Sequence, residues 1–205
     1  MTTRMTKAAL AVWGLMIGVA HAAPTSEVTV TEPARADRLF VSASISRGTS
    51  SLSNPVPGST DSSGSRTELL LLASYDLTDF VIEGGAGWMR DSLTGTASPI
   101  GFGVAEYELT TDAAVIELSP LVKLLARLRA GPLLEMLVGD DVSFKPGISE
   151  SPSRTAWLGG LQALYEFRLG GTALRAGARY LTSLGLPGQQ LRSLQATLQF
   201  GLPVL

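Results

Sequence analysis

The chain contains no cysteine and a single histidine, His21. Without thiols there can be no disulfide, no thiolate metal site and no cysteine nucleophile. Aromatic residues make up only 6% of the 205 residues, so where each one falls is informative. Neither charge sign dominates: the formal net charge is −2, with no basic excess to neutralise a phosphate backbone, and nucleic acid is therefore an unexpected partner. Beyond the first two dozen residues no stretch of about 18 apolar residues occurs, so no membrane-spanning helix is expected.

What is present begins with MTTRMTKAALAVWGLMIGVAHAAP. Arg4 and Lys7 precede an apolar run from Ala8 to Ala20, and Ala20-His21-Ala22 forms a small-x-small site. That order predicts a secretory signal peptide over 1–22, cleaved after Ala22. Cleavage leaves 183 of the 205 residues and removes two basic ones, moving the formal charge from −2 to −4. Trp13 and His21 leave with it, and the remaining chain then has no histidine. Residues 23–37 form a polar lead-in, and 38–205 form one domain.

Within that domain, apolar and polar residues alternate with period two between turn signals. The pattern predicts strands over 38–47, 66–77, 79–90, 112–125, 127–139, 155–169, 172–183 and 190–202. Three connections are tight: Leu77-Thr78-Asp79, Ala126-Arg127 and Gly170-Gly171. Segments 48–65, 91–111 and 140–154 are long and rich in Ser, Thr, Gly, Asp or Pro, and a shorter link runs from Gly185 to Gly188. Alternating tight and long connections describe an up-and-down antiparallel meander.

One set of alternating positions holds no charged residue: 39–45 odd, 69–77 odd, 80–88 even, 114–124 even, 128–138 even, 157–169 odd, 174–180 even and 194–202 even. The opposite set carries Glu68, Asp76, Glu83, Glu117, Lys123, Arg129, Glu135, Glu166, Arg168, Arg175 and Arg179, with Gln162, Gln195, Thr197, Gln199 and the row Ser42-Ser44-Ser46. With the apolar face inward, this would be a soluble ligand-binding barrel of the lipocalin sort. Three features favour the inverse. The apolar set is larger than the inside of an eight-stranded barrel readily holds beside a ligand. The polar set is thin for a water-facing surface, since it also contains Leu70, Leu72, Leu121, Leu125 and Leu164. The aromatics gather in two belts: Tyr75, Phe80, Tyr165, Phe167 and Phe200 near the tight turns, and Trp88, Trp157 and Tyr180 near the long loops. Rings with a polar edge settle at headgroup level, so two belts mark two membrane interfaces. The expected fold is therefore all-β, an eight-stranded antiparallel up-and-down transmembrane barrel, because only a closed barrel lets β-structure cross lipid.

Signal peptide, alternating strands, tight turns and long Ser/Gly-rich loops resemble the small outer-membrane barrels of the OmpA/OmpX type, across about residues 38–205. The resemblance is one of pattern. It implies the bacterial outer membrane, lipid and lipopolysaccharide as surroundings, the barrel-assembly machinery as a partner during biogenesis, and a monomer. Two features depart from it. Such chains commonly end on an aromatic residue, whereas here Phe200 is followed by Gly-Leu-Pro-Val-Leu. The sequence also ends soon after the last strand, so the peptidoglycan-binding domain of full-length OmpA proteins is not expected. Pro120 and Pro132 sit inside predicted strands of a barrel that has no edges, which calls for a bulge or for different hairpin boundaries.

Catalysis is not expected. Lipid A acyl-chain enzymes of this size use histidine, and the Glu and Ser residues fall at regular lumen positions rather than in a cluster. No cofactor or metal is expected. Asp140-Asp141 offers too few oxygens for a cation, and the Gly-Gly-Ala-Gly run at 84–87 lies mid-strand with no helix after it. The lumen charges are the more telling feature. Counted from the tight turns, Glu83, Lys123, Arg129, Glu166 and Arg175 form one layer, and Glu117, Glu135 and Arg179 a higher one. Each layer mixes both signs, and with Glu68 the set reads as an interlocked plug, since buried charges must be paired. Two roles follow: a structural or surface-interaction protein that meets an external ligand through its long loops, or a narrow gated channel for small solutes.

Overall fold

The computed structural model describes residues 38–53, 61–97, 105–145, 148–149, 155–169, 171–184 and 190–204. The signal segment 1–22, the lead-in 23–37 and the middles of the long loops lie outside them. The elements are β1 (Arg38–Ser53), β2 (Ser62–Asp76), β3 (Phe80–Ala97), β4 (Ala105–Lys123), β5 (Leu128–Lys145), the two-residue β6 (Ile148–Ser149), β7 (Ala156–Leu169), β8 (Thr172–Leu184) and β9 (Gln190–Pro203). Antiparallel pairing runs β4-β3-β2-β1-β9-β8-β7-β5, and β4 pairs back onto β5, closing the sheet into an eight-stranded barrel. β6 only clips onto β5, through Ser143↔Ser149 and Phe144↔Ile148. At the seam Phe40 faces Pro203, and Val204 N–H donates to the Leu39 carbonyl at 2.8 Å.

Alternation sets the two faces, because successive side chains on a strand point opposite ways. On β2, Leu70 is 3% exposed and its neighbour Leu71 67%. The same inversion holds around the ring. Val41, Ile45, Leu69, Ile116, Leu118, Leu161, Leu194 and Leu198 face outward, while Glu68, Glu83, Glu117, Glu135, Arg175 and Arg179 are buried inside. A surface this apolar around an interior this charged suits lipid outside, not water.

Several expectations need correction. The strands are longer than the alternation indicated. β1 reaches Ser53, β3 reaches Ala97, β4 begins at Ala105 and β5 reaches Lys145, so much of 48–65, 91–111 and 140–154 is paired strand. Ser/Thr/Gly stretches above a lipid band have no apolar face to announce them, yet their backbones pair all the same. Leu125, expected in the lumen, is exposed in the 124–127 turn, where Leu124 N–H donates to the Leu128 carbonyl at 3.0 Å. There the chain has left the ladder and parity no longer applies.

The prolines are accommodated by a different device from the two considered. On either side of them β4 and β5 keep one register, Leu118↔Leu134 and Val122↔Ala130, which sets Pro120 directly opposite Pro132 in an unpaired gap. Two residues without an amide donor share one rung, so both losses fall at one place. Ser119 Oγ donates to the Pro132 carbonyl at 2.7 Å, and Gln162 Nε2 donates to Ser119 Oγ at 2.7 Å. The bulge lies higher: Ala114 pairs with Val138 and Ala113 with Asp140, leaving Gly139 over at φ 70°, a conformation glycine takes without a Cβ clash.

Beside the proline rung the strands approach closely. A Cβ on Gly131 would lie 2.0 Å from the Pro120 carbonyl oxygen. Gly131→Ala is therefore expected to destabilise the folded barrel by about 1–3 kcal/mol, the usual cost of overpacking, read as a lowered urea midpoint in detergent micelles. An unchanged midpoint would show that β4 and β5 can separate freely there.

Candidate functional site

The barrel interior carries two buried ion-pair clusters. The higher one centres on Arg179 of β8. Its Nη1 lies 2.9 Å from Glu117 Oε2, and its Nη2 contacts both Glu68 Oε2 and Glu135 Oε1. Arg66 of β2 contacts Glu68 through Nε and lies 2.8 Å from Glu135 Oε2 through Nη2. Arg66, Glu68, Arg179 and Glu135 thus close a ring in which each cation touches both anions. Glu117 hangs on Arg179, and Asp91 of β3 lies 3.5 Å from Arg66 Nη1. Gln195 Nε2 donates to Glu68 Oε1 at 2.9 Å. In all, two arginines face four carboxylates.

The arrangement follows from register. Glu117 and Glu135 sit directly opposite each other on β4 and β5, where like charges would repel, and Arg179 reaches across to bridge them. Leu137, Leu181 and Val115 follow Glu135, Arg179 and Glu117 by two residues toward the long-loop end, and they belong to the apolar cluster that also includes Leu158, Leu133 and Met89.

The lower cluster lies nearer the tight turns. Glu166 Oε2 is 2.7 Å from Arg129 Nη2 and 3.0 Å from Arg175 Nε, and Arg175 Nη1 is 2.8 Å from Glu83 Oε2. Ser74 Oγ and Gln199 Nε2 donate to Glu83 at 2.8 and 2.9 Å. Asp76 receives Lys123 and, at 3.3 Å, Arg129 Nη2. Lys123 also donates to the Leu77 and Thr78 carbonyls, tying the cluster to the first tight turn. Arg168 lies half out of the barrel mouth and reaches back to Glu166 Oε1 at 2.8 Å.

Lys123, Arg129, Glu166, Arg175 and Glu83 are thus brought together, as are Glu117, Glu135, Arg179 and Glu68. Arg66 and Asp91 are partners the sequence reading missed. The signal is local: Arg66 has the parity of Glu68 and is the first residue of the expected strand 66–77, whereas Asp91 has the parity of Glu83 but lies one residue past the expected strand 79–90. No ion pair among the described residues joins the two clusters, and none of their acidic groups forms a set able to hold a metal ion. The side chains of Asp140 and Asp141 lie outside the described ones.

Outside, Tyr75, Phe80, Tyr165, Phe167 and Phe200 point outward near the tight turns, and Trp88, Trp157 and Tyr180 point outward toward the long loops. Along β7 the span from Trp157 to Phe167 is about 33 Å of strand, or about 25 Å of height at the tilt usual in such barrels. That matches a hydrocarbon band. The Tyr165 and Phe167 ring centroids are 4.9 Å apart. Two residues beyond Trp88, Arg90 stacks over its ring at 5.3 Å and forms a two-pronged pair with Asp112, both contacts at 2.8 Å.

Among solved structures, the attachment invasion locus protein of Yersinia pestis is similar in fold, with a TM-score of 0.50 at 16% identity, covering 80% of this chain and 99% of that one. Neisserial surface protein A also matches, with a TM-score of 0.43 at 16% identity, covering 78% of this chain and 95% of the other. No family model matches the chain, and no curated protein is similar to it in sequence. The chain has the fold of a small eight-stranded outer-membrane β-barrel, with the lipid-facing band and paired interior that such a fold requires.

Proposed function

We propose that the chain is an integral outer-membrane protein whose lumen is plugged by the two ion-pair clusters and whose role is structural or interactive, exercised through the segments joining the strands at the long-loop end. The carrying observation is the closed ring of Arg66, Glu68, Arg179 and Glu135, nearly excluded from solvent and crossing the barrel from β2 to β5 and β8. Side chains that must hold one another in low dielectric fill an eight-stranded lumen more tightly than a conduit tolerates. In this reading the tight turns face the periplasm, the barrel is a monomer in lipid and lipopolysaccharide, and the long-loop end meets an external ligand. The role is not catalytic, since no histidine or thiol lies in the barrel segment.

The test is conductance. The purified barrel, its fold checked by a heat-dependent gel shift and its origin by outer-membrane fractionation, is expected to give little or no steady current in planar bilayers. A large, stable current from the wild-type protein would reject the plug and establish the alternative, a narrow gated channel for small solutes.

A further inference from the structure

The upper cluster holds more carboxylates than its arginines can satisfy. Arg66, Glu68, Arg179 and Glu135 close a ring in which the charges balance. Glu117 adds one anion, and it accepts a hydrogen bond from Arg179 Nη1 at 2.9 Å. Asp91 adds a second and is held least. Its Oδ2 lies 3.5 Å from Arg66 Nη1, a nitrogen that makes no hydrogen bond. Yet Asp91 is only 3% exposed. A buried carboxylate without a close, hydrogen-bonded cation is costly, and a proton removes that cost. A proton also needs no cavity.

The position of Asp91 suits it to exchange that proton. It lies three residues beyond Trp88 of the upper belt, about 10 Å further along β3 and so above the lipid band. Arg66 stands directly opposite it on β2 and Thr111 on β4. Among the described side chains, the charged groups acting on it are Arg66 and Glu68 of β2 and Glu135 of β5, one cation against two anions. The lumen face of β4 carries Tyr107 above it and Glu117 below, and Arg179 of β8 lies beyond Glu68 and Glu135. The neighbouring walls are neutral: β9 presents Ser193 and Gln195, and the Ser50 hydroxyl of β1 is within hydrogen-bond reach of the carboxyl. Burial pushes the Asp91 carboxyl up, to about 6, against the pull of Arg66.

We propose that Asp91 is a proton-uptake site at the long-loop end of the plug, a carboxylate at neutral pH and a neutral carboxyl in mildly acid surroundings, so that acid tightens the upper cluster. This deepens the plugged-lumen reading and rests on it. With Asp91 neutral, Arg66 is left to Glu68 and Glu135 alone, and two arginines face three carboxylates instead of four. The sign follows from linkage. A carboxyl that takes its proton more readily in the folded barrel than in the unfolded chain stabilises the fold on the acid side. That contribution is lost as pH rises through about 6.

The proton is read by infrared spectroscopy of the folded barrel in ester-free detergent, where a neutral carboxyl absorbs apart from a carboxylate. Acidification from about pH 8 to about pH 5 should raise a carboxyl band that is lost in Asp91→Asn and kept in Glu117→Gln. A band undiminished in Asp91→Asn, or lost in Glu117→Gln instead, would overturn the assignment. Ser50→Ala keeps the carboxyl and removes a hydroxyl that favours its charged form, so uptake should begin at higher pH. An unmoved midpoint would take Asp91 out of this setting.

The tightening is read separately, from urea unfolding of wild type and Asp91→Asn at the same two pH values. The ratio of their unfolding equilibrium constants should change by roughly ten- to a hundredfold between them, with wild type gaining on the variant as pH falls. A constant ratio would overturn it. Neither measurement requires a closed lumen: a steady current in planar bilayers would reject the plug, and the carboxyl band would still decide Asp91.

Discussion

Arg179→Ala is expected to lower the stability of the folded barrel by about 3–5 kcal/mol, the cost of removing one partner from a buried charge pair. Arg179 contacts Glu68, Glu117 and Glu135 at once. After its loss Glu68 and Glu135 still touch Arg66. Glu117 has no second cation: its remaining oxygen, Oε1, makes no hydrogen bond, and the residue stands directly across the ladder from Glu135. The stranded charge is therefore Glu117. Glu117→Gln should restore more of the lost stability in the Arg179→Ala background than Glu135→Gln, although either removes one carboxylate from a cluster that has too many. Urea midpoints of the four proteins in micelles measure this directly. Equal midpoints for wild type and Arg179→Ala would mean that the cluster relaxes around the gap, and the plug would lose its keystone. Rescue by Glu135→Gln alone would place the stranded charge on β5 instead.

Ile116→Arg carries the second large effect, an expected loss of about 2–4 kcal/mol, because it sets a charge at mid-membrane on the lipid face. Ile116 is 48% exposed on the outside of β4, between Ala86 of β3 and Met136 of β5. Gln195→Arg is the control. It puts the same guanidinium inside, beside Glu68 and in a cluster where carboxylates outnumber arginines, so it should cost far less. Refolding yield and urea midpoint in lipid vesicles distinguish the two. A worse outcome for Gln195→Arg would invert the assignment of the faces and return the barrel to water.

The two faces and the eight-stranded closure were legible because period-two alternation is a local property. A strand turns its side chains to opposite sides whatever it pairs with, so Leu194, Ala196, Leu198 and Phe200 had to share one face and Gln195, Thr197 and Gln199 the other. An uncharged face beside a charged one then identifies the solvent on each side. Asp91 and the upper halves of β1, β3 and β4 were harder to see. Once strands rise above lipid, Ser, Thr and Gly serve on both faces, alternation fades, and only backbone pairing marks the strand.

Which charge meets which was decided by tertiary structure alone. Arg179 and Glu68 are 111 residues apart in the chain. Their meeting depends on the stagger between neighbouring strands, accumulated around the closed ring, and a slip of two residues in any pairing would keep every face assignment while exchanging the partners. The proline rung has the same origin. Each proline by itself signals a broken strand, and only the β4–β5 register sets them opposite each other, where a single gap holds both missing donors.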